Sequence, residues 1–298
     1  LPAGRAHRDR ALRALPPAGR PLRLALAQPQ HPRGARRAAR LRPRDRADRL
    51  ASPAARGGRG GDAGGRAARR AQGPGGAGLT DMAGEPPVLA PEAFAERLRA
   101  AAAGGRIVAA LAGAPGSGKT AAAARIAAHL RRAEPGCCVV VPMDGFHYDD
   151  RILEDRGWRA RKGAPHTFDA AGLAALLDRL RANAEDEIAY PLFDRDLELS
   201  RAAAAIAPRS ARVVLVEGNY LLLDAPPWSG LRSRFDLTAA TRCPMAEIEA
   251  RLRRRWRGYD LPEDEIARRV EENDLPNARR VLAESARPDL YLDTGPAP

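Results

Sequence analysis

Apolar residues form short unbroken runs that alternate with segments of helical periodicity over most of the chain. Strands are predicted at 107–112, 137–141, 213–216, 235–243 and 290–292, with a further short strand or extended segment at 187–193. Unbroken runs are typical of parallel strands that are covered on both faces. The pattern therefore predicts a parallel sheet at the centre of the molecule.

Helices are predicted between these strands, where helix-favouring residues recur at helical spacing. They cover 91–103, 121–130, 170–182, 244–257 and 262–273, and Pro276 is expected to interrupt the last one before helix resumes to residue 282. The polar stretch 149–168 predicts a long loop. Strands that alternate with helices are typical of one α/β domain in which helices flank a central parallel sheet.

Charge divides the chain of 298 residues into two parts. Residues 1–81 contain 19 Arg and 5 Asp, a net of +14, whereas residues 82–298 carry 31 Lys and Arg against 32 Asp and Glu. The first part lacks Lys, Glu, Met, Ile, Val, Phe, Tyr and Trp. Such a segment cannot bury enough apolar surface to offset its chain entropy. We expect 1–81 to be a disordered tract and 82–298 to be the folded domain.

The chain begins with Leu1, and Met82 stands where the composition changes. Because Arg, Ala, Gly and Pro have GC-rich codons, one hypothesis is that 1–81 is upstream sequence translated from a misplaced start. The N-terminal peptide of the native protein tests this. The alternatives are a basic arm that binds nucleic acid and an organelle transit peptide, although Ser52 is the only serine in the tract. The balanced charge of 82–298 disfavours nucleic acid as a partner of the domain.

Cysteine usage points to a reducing compartment. Cys137, Cys138 and Cys243 give neither a disulfide framework nor metal-ligand spacing. No apolar stretch approaches the roughly 20 residues that cross a bilayer, and no secretion signal follows Met82. We expect a cytoplasmic protein without a membrane partner.

Residues 113–120 fit the phosphate-binding pattern G-x-x-x-x-G-K-[ST] at every fixed position, between a predicted strand and a predicted helix. The residues are Gly113, Ala114, Pro115, Gly116, Ser117, Gly118, Lys119 and Thr120. Glycines allow successive backbone N–H groups to turn inward beside a helix N-terminus, which favours anions. Lys119 is expected to reach the β- and γ-phosphates of a nucleotide, and the Thr120 hydroxyl to ligate Mg²⁺. The alternative, a glycine-rich turn with one exposed lysine, does not explain the match of both flanks.

Two acidic residues follow buried strands near this loop. Asp144 comes just after the run 137–141, and Glu217 directly follows 213–216. In open α/β sheets the carboxyl ends of the strands face the crevice where ligands bind. A pair of carboxylates beside a phosphate loop can hold Mg²⁺ and orient a nucleophile. We therefore predict an active-site role for Asp144 and Glu217 over the alternative of ordinary strand caps.

Arginines crowd the helix predicted at 244–257. They are Arg251, Arg253, Arg254, Arg255 and Arg257. Most arginine runs are solvated helix faces, but this cluster ends at Gly258 and a proline-containing turn, as a mobile lid would. Arginines on a closing lid neutralise charge as a phosphoryl group moves. We predict an Arg-rich lid and assign catalytic roles to Arg254 and Arg255.

These motifs together resemble the phosphoribulokinase/uridine kinase family of P-loop kinases, and within it the bacterial nucleoside/nucleotide kinase proteins related to type I pantothenate kinase. The resemblance covers about 105–293 of the sequence. Its more specific parts are PMDGFH (142–147), RKGAPHTFD (161–169), YPLFDR (190–195), VEGNYLLL (216–223) and NDLPNARRVL (273–282). The arginine spacing of the lid departs from that of uridine kinases.

The resemblance implies a P-loop kinase fold and ATP-dependent transfer of the γ-phosphoryl group to an alcohol, with Mg²⁺ as the metal. It makes Asp144 the base, and it places Lys162, Asp169, Tyr190 and Arg195 in segments that approach the acceptor. His147 is a further substrate-binding prediction, and Glu217 is predicted to contact both metal and substrate. Nucleosides, pantothenate-like acids, sugars and sugar phosphates all remain possible acceptors, and the oligomeric state is open.

Other nucleotide-binding classes fit less well. A GTPase is expected to carry N-K-x-D and an ABC ATPase an L-S-G-G-Q-type segment, and neither is present. A motor-like ATPase is expected to have D-E after the strand at 213–216, where Glu217-Gly218 stands instead. The remaining alternatives are a regulatory nucleotide-binding protein without turnover and nucleic-acid binding through the basic tract 1–81.

Overall fold

The computed structural model describes residues 84–294, so the predictions made for 1–81 lie outside the described residues. Eight strands are present in this part of the chain. They are β1 (Val88–Leu89), β2 (Ile107–Ala112), β3 (Cys138–Pro142), β4 (Glu187–Asp194), β5 (Leu199–Pro208), β6 (Val213–Gly218), β7 (Leu237–Arg242) and β8 (Leu290–Asp293). Six of them form one parallel sheet in the order β1-β8-β7-β2-β6-β3. The predicted α/β fold with a central parallel sheet is confirmed.

Helices cover both faces of this sheet. They are α1 (Pro91–Ala101), α2 (Lys119–Ala133), α3 (Asp150–Asp155), α4 (Ala170–Ala182), α5 (Met245–Arg257), α6 (Glu263–Arg269) and α7 (Leu275–Glu284). Among residues 84–294, no helix is both long and apolar enough to span a bilayer.

Strand β2 explains why the strand sequences are unbroken apolar runs. Ala109 and Leu111 belong to one buried cluster with side chains of α1 and α2. Val108 and Ala110 belong to a second cluster with side chains of α4, α5, α6 and α7. Since successive side chains of a strand point to opposite faces, a strand covered on both faces needs apolar residues at every position.

The strand order brings the predicted site residues together. Strand β6 lies between β2, which leads into the phosphate loop, and β3, which leads to Asp144. Glu217 of β6 is in register with Leu111 of β2 and with Pro142 of β3. Three segments that are distant in the sequence therefore end at one edge of the sheet.

The strand predicted at 187–193 is confirmed as β4, but its partner β5 was not predicted. β4 and β5 form a separate antiparallel pair with a register shift between Tyr190 and Leu192. β5 contains four consecutive alanines at 202–205, and alanine favours helix in isolation. Pairing with β4 overrides this local preference, as tertiary context commonly does in strands.

The prediction of a long loop at 149–168 is wrong in one part. α3 begins after Asp149, whose carboxylate accepts a hydrogen bond from the backbone N–H of Arg151 at 3.0 Å. Short 3₁₀ turns occupy Arg159–Arg161 and Pro165–Thr167. The segment is therefore one short capped helix followed by two 3₁₀ turns, and it ends at Phe168, which forms an isolated β-bridge with His147.

Pro276 does not interrupt the last helical region, contrary to the prediction. A π-helical turn at Val270–Asp274 joins α6 to α7, and the Leu275 N–H donates to the Val270 carbonyl. Proline lacks an N–H and clashes with the carbonyl four residues earlier in an α-helix. The wider π turn just before Pro276 changes this local geometry, and the helix continues.

Candidate active site

The phosphate loop follows β2 and leads directly into α2. Gly116 and Gly118 have φ angles of 77° and 87°, in the left-handed region that favours glycine. At Gly113 the constraint is space, because a Cβ atom there would lie 2.6 Å from Ser117 Oγ and closer still to Thr241. The three glycines of the motif are thus each required by backbone conformation or by packing.

Two threonines outside the motif hold the loop in place. The Thr241 hydroxyl at the end of β7 donates to Ser117 Oγ at 2.7 Å, and the Thr294 hydroxyl donates to the Ser117 carbonyl at 3.1 Å. Ser117 is buried. Sequence reasoning missed both threonines, because no motif marks a residue that supports a loop from a neighbouring strand.

A cavity of about 490 Å³ opens beside the loop at the carboxyl ends of the strands. Many of the predicted site residues line it, namely Pro115, Gly116, Gly118, Lys119, Thr120, Asp144, His147, Lys162, Arg195 and Arg255. Gly113, Ala114 and Ser117 are buried in the body of the loop. The cavity therefore joins the phosphate loop to the segments predicted to approach an acceptor.

Besides Gly113, Ala114 and Ser117, four predicted site residues are not among those that line the cavity, namely Glu217, Asp169, Tyr190 and Arg254. Asp169 caps α4 and accepts a hydrogen bond from the Gly172 N–H at 2.8 Å. Tyr190 is buried, and its hydroxyl donates to the Val140 carbonyl at 3.1 Å. Arg254 is exposed on α5. Asp169 and Tyr190 thus support the walls of the site from behind.

Glu217 lies under the loop, with its two carboxylate oxygens each 3.3 Å from the Thr120 hydroxyl, which donates to them. Its side chain is buried. Burial raises the pKa of Glu217, with the nearby Lys119 charge acting in the opposite direction and the Asp144 charge adding to the increase. A buried carboxylate with an elevated pKa beside a hydroxyl is a site where a cation would relieve unfavourable charge burial.

The side chains beside the loop provide few ligands for Mg²⁺ by themselves. Among residues 84–294, no group of three or more His, Cys, Asp or Glu side chains is arranged to hold a metal ion. Thr120 and Glu217 supply one hydroxyl and one carboxylate at the loop. Mg²⁺ is commonly held by one or two such groups together with substrate phosphates and water, so the residues fit a metal that arrives with a nucleotide.

Asp144 lies beyond β3 and faces the cavity. Its Oδ2 accepts a hydrogen bond from Arg195 Nη2 at 3.1 Å. Burial by itself disfavours the charged carboxylate, but His147 when protonated, Lys119 and Arg195 outweigh it and lower the pKa of Asp144 below its ordinary value. Asp144 is therefore ionised at neutral pH.

His147 is held by its neighbours on three sides. Its Nδ1 is 2.8 Å from the Asp144 carbonyl oxygen, and its ring packs 4.0 Å from Phe168 and 4.7 Å from Phe193, measured between ring centroids. Burial lowers the pKa of His147, although the Asp144 carboxylate acts against this. The imidazole is consequently neutral at pH 7 and forms a wall of the cavity.

The arginines of helix α5, which is predicted to be a lid, differ in their contacts. Arg251 and Arg253 pair with Glu247 and Glu249 one helical turn earlier, whereas Arg255 lines the cavity. Beside it, Trp256 Nε1 donates to Asp274 Oδ2 at 2.6 Å. This hydrogen bond links α5 to the π turn that precedes α7.

Sequence reasoning missed much of the far side of the cavity. The missed lining residues include Arg159, Phe168, Phe193, Glu198, Asn219, Arg268, Arg269, Glu272, Asn273, Asp274 and Asn277. Four of these come from the π turn or the first residues of α7. The available signal was the segment NDLPNARRVL, which includes the end of the π turn. Such turns in helices occur frequently at functional sites.

Known proteins share sequence and fold with this chain. No family model matches the chain. A candidate uridine kinase from Schizosaccharomyces pombe is 32% identical over 194 residues, which span 63% of this chain and 83% of that protein. The crystal structure of a candidate fructose transport system kinase from Silicibacter sp. TM1040 has 41% sequence identity and a TM-score of 0.63, over 68% of this chain and 98% of that one.

A third comparison supports the fold alone. YFH7 from Saccharomyces cerevisiae, a P-loop-containing protein with a circular permutation, has a TM-score of 0.60 at 17% identity, over 69% of this chain and 98% of its own. Together the fold, the site and these relatives define a P-loop kinase. The chain belongs to the phosphoribulokinase/uridine kinase family, and it is a phosphotransferase with an alcohol group as acceptor.

Proposed function

We propose that this protein transfers the γ-phosphoryl group of ATP to a hydroxyl of a small molecule, with Asp144 accepting the hydroxyl proton. The observation that carries the proposal is that the phosphate loop and Asp144 line one and the same cavity. A kinase needs both of its substrates in one space, with the attacking oxygen held in line with the terminal phosphorus.

At the phosphate end, backbone N–H groups of the loop and of the start of α2 donate hydrogen bonds to the phosphate oxygens. Lys119 and Arg255 both line the cavity, and neither takes part in an ion pair within residues 84–294. Cations without a carboxylate partner are available to stabilise the charge that spreads over the phosphoryl oxygens in the transition state.

Thr120 and Glu217 would hold Mg²⁺ together with the nucleotide. When bound, the metal supplies positive charge that neutralises the β- and γ-phosphate oxygens. This role gives a reason for a buried carboxylate whose pKa is raised by burial.

At the acceptor end, Asp144 positions the hydroxyl. Arg195 engages Oδ2 of the Asp144 carboxylate, which leaves Oδ1 to accept the hydrogen bond from the acceptor. The acceptor oxygen forms a bond to the γ-phosphorus, the bond from that phosphorus to the bridging oxygen of ADP breaks, and the hydroxyl proton passes to Asp144. Because the lowered pKa makes Asp144 a weak base, its main contribution is orientation, with proton transfer late in the reaction.

An acceptor screen tests the proposal. The full chain is incubated with Mg²⁺, ATP and uridine, D-fructose or pantothenate, and the products are identified by mass spectrometry. These compounds follow the named activities of relatives, including a Listeria monocytogenes pantothenate kinase that is 41% identical over 54 residues. Formation of a phosphorylated product that is lost in Asp144→Asn is the expected result. ATP binding without consumption across a wider set of alcohols contradicts the proposal and favours a regulatory nucleotide-binding protein.

A further inference from the structure

Arg255 of α5 is a cavity cation that is held in place by an aromatic ring. It takes part in no ion pair within residues 84–294, and its guanidinium lies over the ring of Trp256, 5.5 Å from the ring centroid. A carboxylate partner would neutralise the charge and occupy N–H donors. An aromatic face attracts the cation and leaves the N–H groups in the guanidinium plane free. The Trp256 ring therefore suits an arginine that must contact an anionic ligand.

The charge of Arg255 acts on the carboxylate that is proposed to receive the acceptor's proton. Burial raises the pKa of Asp144, and positive charges nearby lower it. They are those of protonated His147, Lys119, Arg195 and Arg255. Because the interaction between two charges weakens with distance, Arg255 lies near Asp144, and both residues line the cavity.

The indole ring of Trp256 is itself held by neighbours. Its Nε1 donates a hydrogen bond to Asp274 Oδ2 at 2.6 Å, and the guanidinium of Arg269 lies 4.9 Å from the ring centroid. The ring is half-buried and packs against the apolar core. Since a tryptophan side chain has only two rotatable bonds, a hydrogen bond at Nε1 restricts the orientation of the ring. Asp274 thereby orients the face over which Arg255 lies.

Asp274 belongs to the π turn that joins α6 to α7. A second contact links this turn to α5, because Arg253 pairs with Glu271 at 2.9 Å. The turn therefore contacts the lid helix at two places, and one of these contacts ends on the indole next to Arg255.

We propose that Asp274 and Trp256 are positioning residues for Arg255. Asp274 orients the indole, and the indole holds the Arg255 guanidinium toward the terminal phosphate of ATP. This inference rests on the proposed function for the place of the γ-phosphoryl group. Because Trp256 also lines the cavity, the test must separate positioning from direct contact with a ligand.

The test measures binding and needs no turnover. Calorimetric titrations of the full chain with Mg²⁺ and either ADP or AMP-PNP, a non-hydrolysable ATP analogue, give the ratio of the two affinities, which reports contact with the γ-phosphate. Arg255→Ala should lower the preference for AMP-PNP by roughly tenfold, the value of a hydrogen bond to a charged group. Trp256→Leu and Asp274→Ala should each lower it by about two- to fivefold, the value of an exposed cation–π contact.

Double variants show whether the two residues act through Arg255. When Arg255→Ala is combined with Trp256→Leu or with Asp274→Ala, the preference for AMP-PNP should fall no further than in Arg255→Ala alone, because residues that act as a unit are not additive. Asp274→Asn keeps an oxygen that accepts from Trp256 Nε1, so this conservative variant should keep the wild-type preference.

The matched control is Trp158→Leu. Trp158 is also half-buried and lies 4.9 Å from the guanidinium of Arg156, measured to the ring centroid, but it is not among the residues that line the cavity. Its replacement removes the same kind of contact and should leave the preference for AMP-PNP unchanged. Thermal unfolding of every variant verifies that the titrated protein is folded, and if Trp256→Leu does not fold, the comparison of Asp274→Ala with Asp274→Asn decides.

Several outcomes overturn the inference. They are an unchanged preference for AMP-PNP in Arg255→Ala or in Asp274→Ala, a further loss in either double variant, and an equal loss in Asp274→Asn and Asp274→Ala. Phosphorylation of an acceptor together with any of these results leaves the proposed function standing and contradicts the inference alone. The expected ratios in a protein that phosphorylates no acceptor support the positioning of Arg255 and contradict the proposed kinase activity.

Discussion

The two ends of the cavity are built in different ways. The phosphate end is formed by one contiguous loop, of which Pro115, Gly116, Gly118, Lys119 and Thr120 line the cavity. The acceptor end draws on residues from four separate parts of the chain, around Asp144, Lys162, Arg195 and Asn273. Lys119 and Arg255 take part in no ion pair within residues 84–294, whereas the cations of the acceptor end are paired with carboxylates.

This difference follows from the ligands that each end serves. A triphosphate presents the same charged oxygens in every nucleotide, so backbone N–H groups and unpaired cations recognise it without further adjustment. An acceptor is recognised by shape and by individual hydrogen bonds, which side chains from several segments must supply. Substitutions should therefore separate nucleotide binding from acceptor use.

Asp144→Asn should have the largest effect on turnover, and this effect should be confined to the chemical step. Replacing the carboxylate removes the proton acceptor, and a loss on the order of 10²–10⁴ in turnover is expected. Affinity for ATP, measured by calorimetry, should stay close to that of the wild type. Asp155→Asn, on the exposed surface of α3, is the matched control. Full turnover by Asp144→Asn would remove this residue from its proposed role.

Lys119→Ala should affect both binding and turnover. The lysine has no ion-pair partner to lose within the described residues, so its removal acts on the bound phosphates. We expect turnover to fall on the order of 10²–10³, as when one donor to a developing charge is lost, and the affinity for ATP to fall with it. Arg132→Ala, exposed on the last turn of the same helix, controls for the loss of a positive charge. Unchanged ATP affinity in Lys119→Ala would place the nucleotide elsewhere.

Gly145→Ala should disturb the acceptor end through the backbone. A Cβ atom there would lie 2.7 Å from the carbonyl carbon of Pro191 in β4, which cannot rotate away. We expect a destabilisation of about 1–3 kcal/mol, seen in thermal unfolding as roughly 2–4 °C for each kcal/mol. Acceptor KM should rise more than the KM for ATP.

Gly230→Ala is the control for this substitution, because a Cβ atom at Gly230 would meet no atom within 4 Å. Equal increases in both KM values for Gly145→Ala would show that the two ends are not separable in this way.

Glu217→Gln should have the smallest effect, a change in the unfolding temperature of the free protein that depends on pH. The folded pKa of Glu217 is raised above its ordinary value of 4.5 by burial. Its contribution to stability is therefore fully present below that value and is lost as the pH rises through the folded pKa. We expect the variant to unfold at a higher temperature than the wild type at pH 8, with a smaller difference at pH 4.

With Mg²⁺ and ATP present, the wild type should instead unfold at a higher temperature than Glu217→Gln, because the bound metal stabilises the carboxylate and not the amide. Glu154→Gln on the exposed face of α3 controls for the loss of a negative charge. If Mg²⁺ and ATP stabilise Glu217→Gln and the wild type equally, Glu217 does not hold the metal.

Local pattern determined most of the fold. The unbroken runs at β2, β3 and β6 predicted parallel strands, because a strand covered on both faces favours apolar residues at successive positions. The glycine pattern at 113–120 predicted the phosphate loop, because its backbone conformation restricts which residues can occupy it. Both signals lie within a few neighbouring residues.

Tertiary structure decided the rest. Strand β5 forms despite its alanines because β4 supplies hydrogen-bond partners, and helix continues past Pro276 after a π turn. Asp169 and Tyr190 belong to segments near the site, yet one caps a helix and the other donates to a strand carbonyl. By itself, then, the sequence determined the sheet, the phosphate loop and the two strand-end acids. Which side chains face the acceptor was decided only by packing between distant segments, because side-chain direction depends on neighbours that no local pattern records.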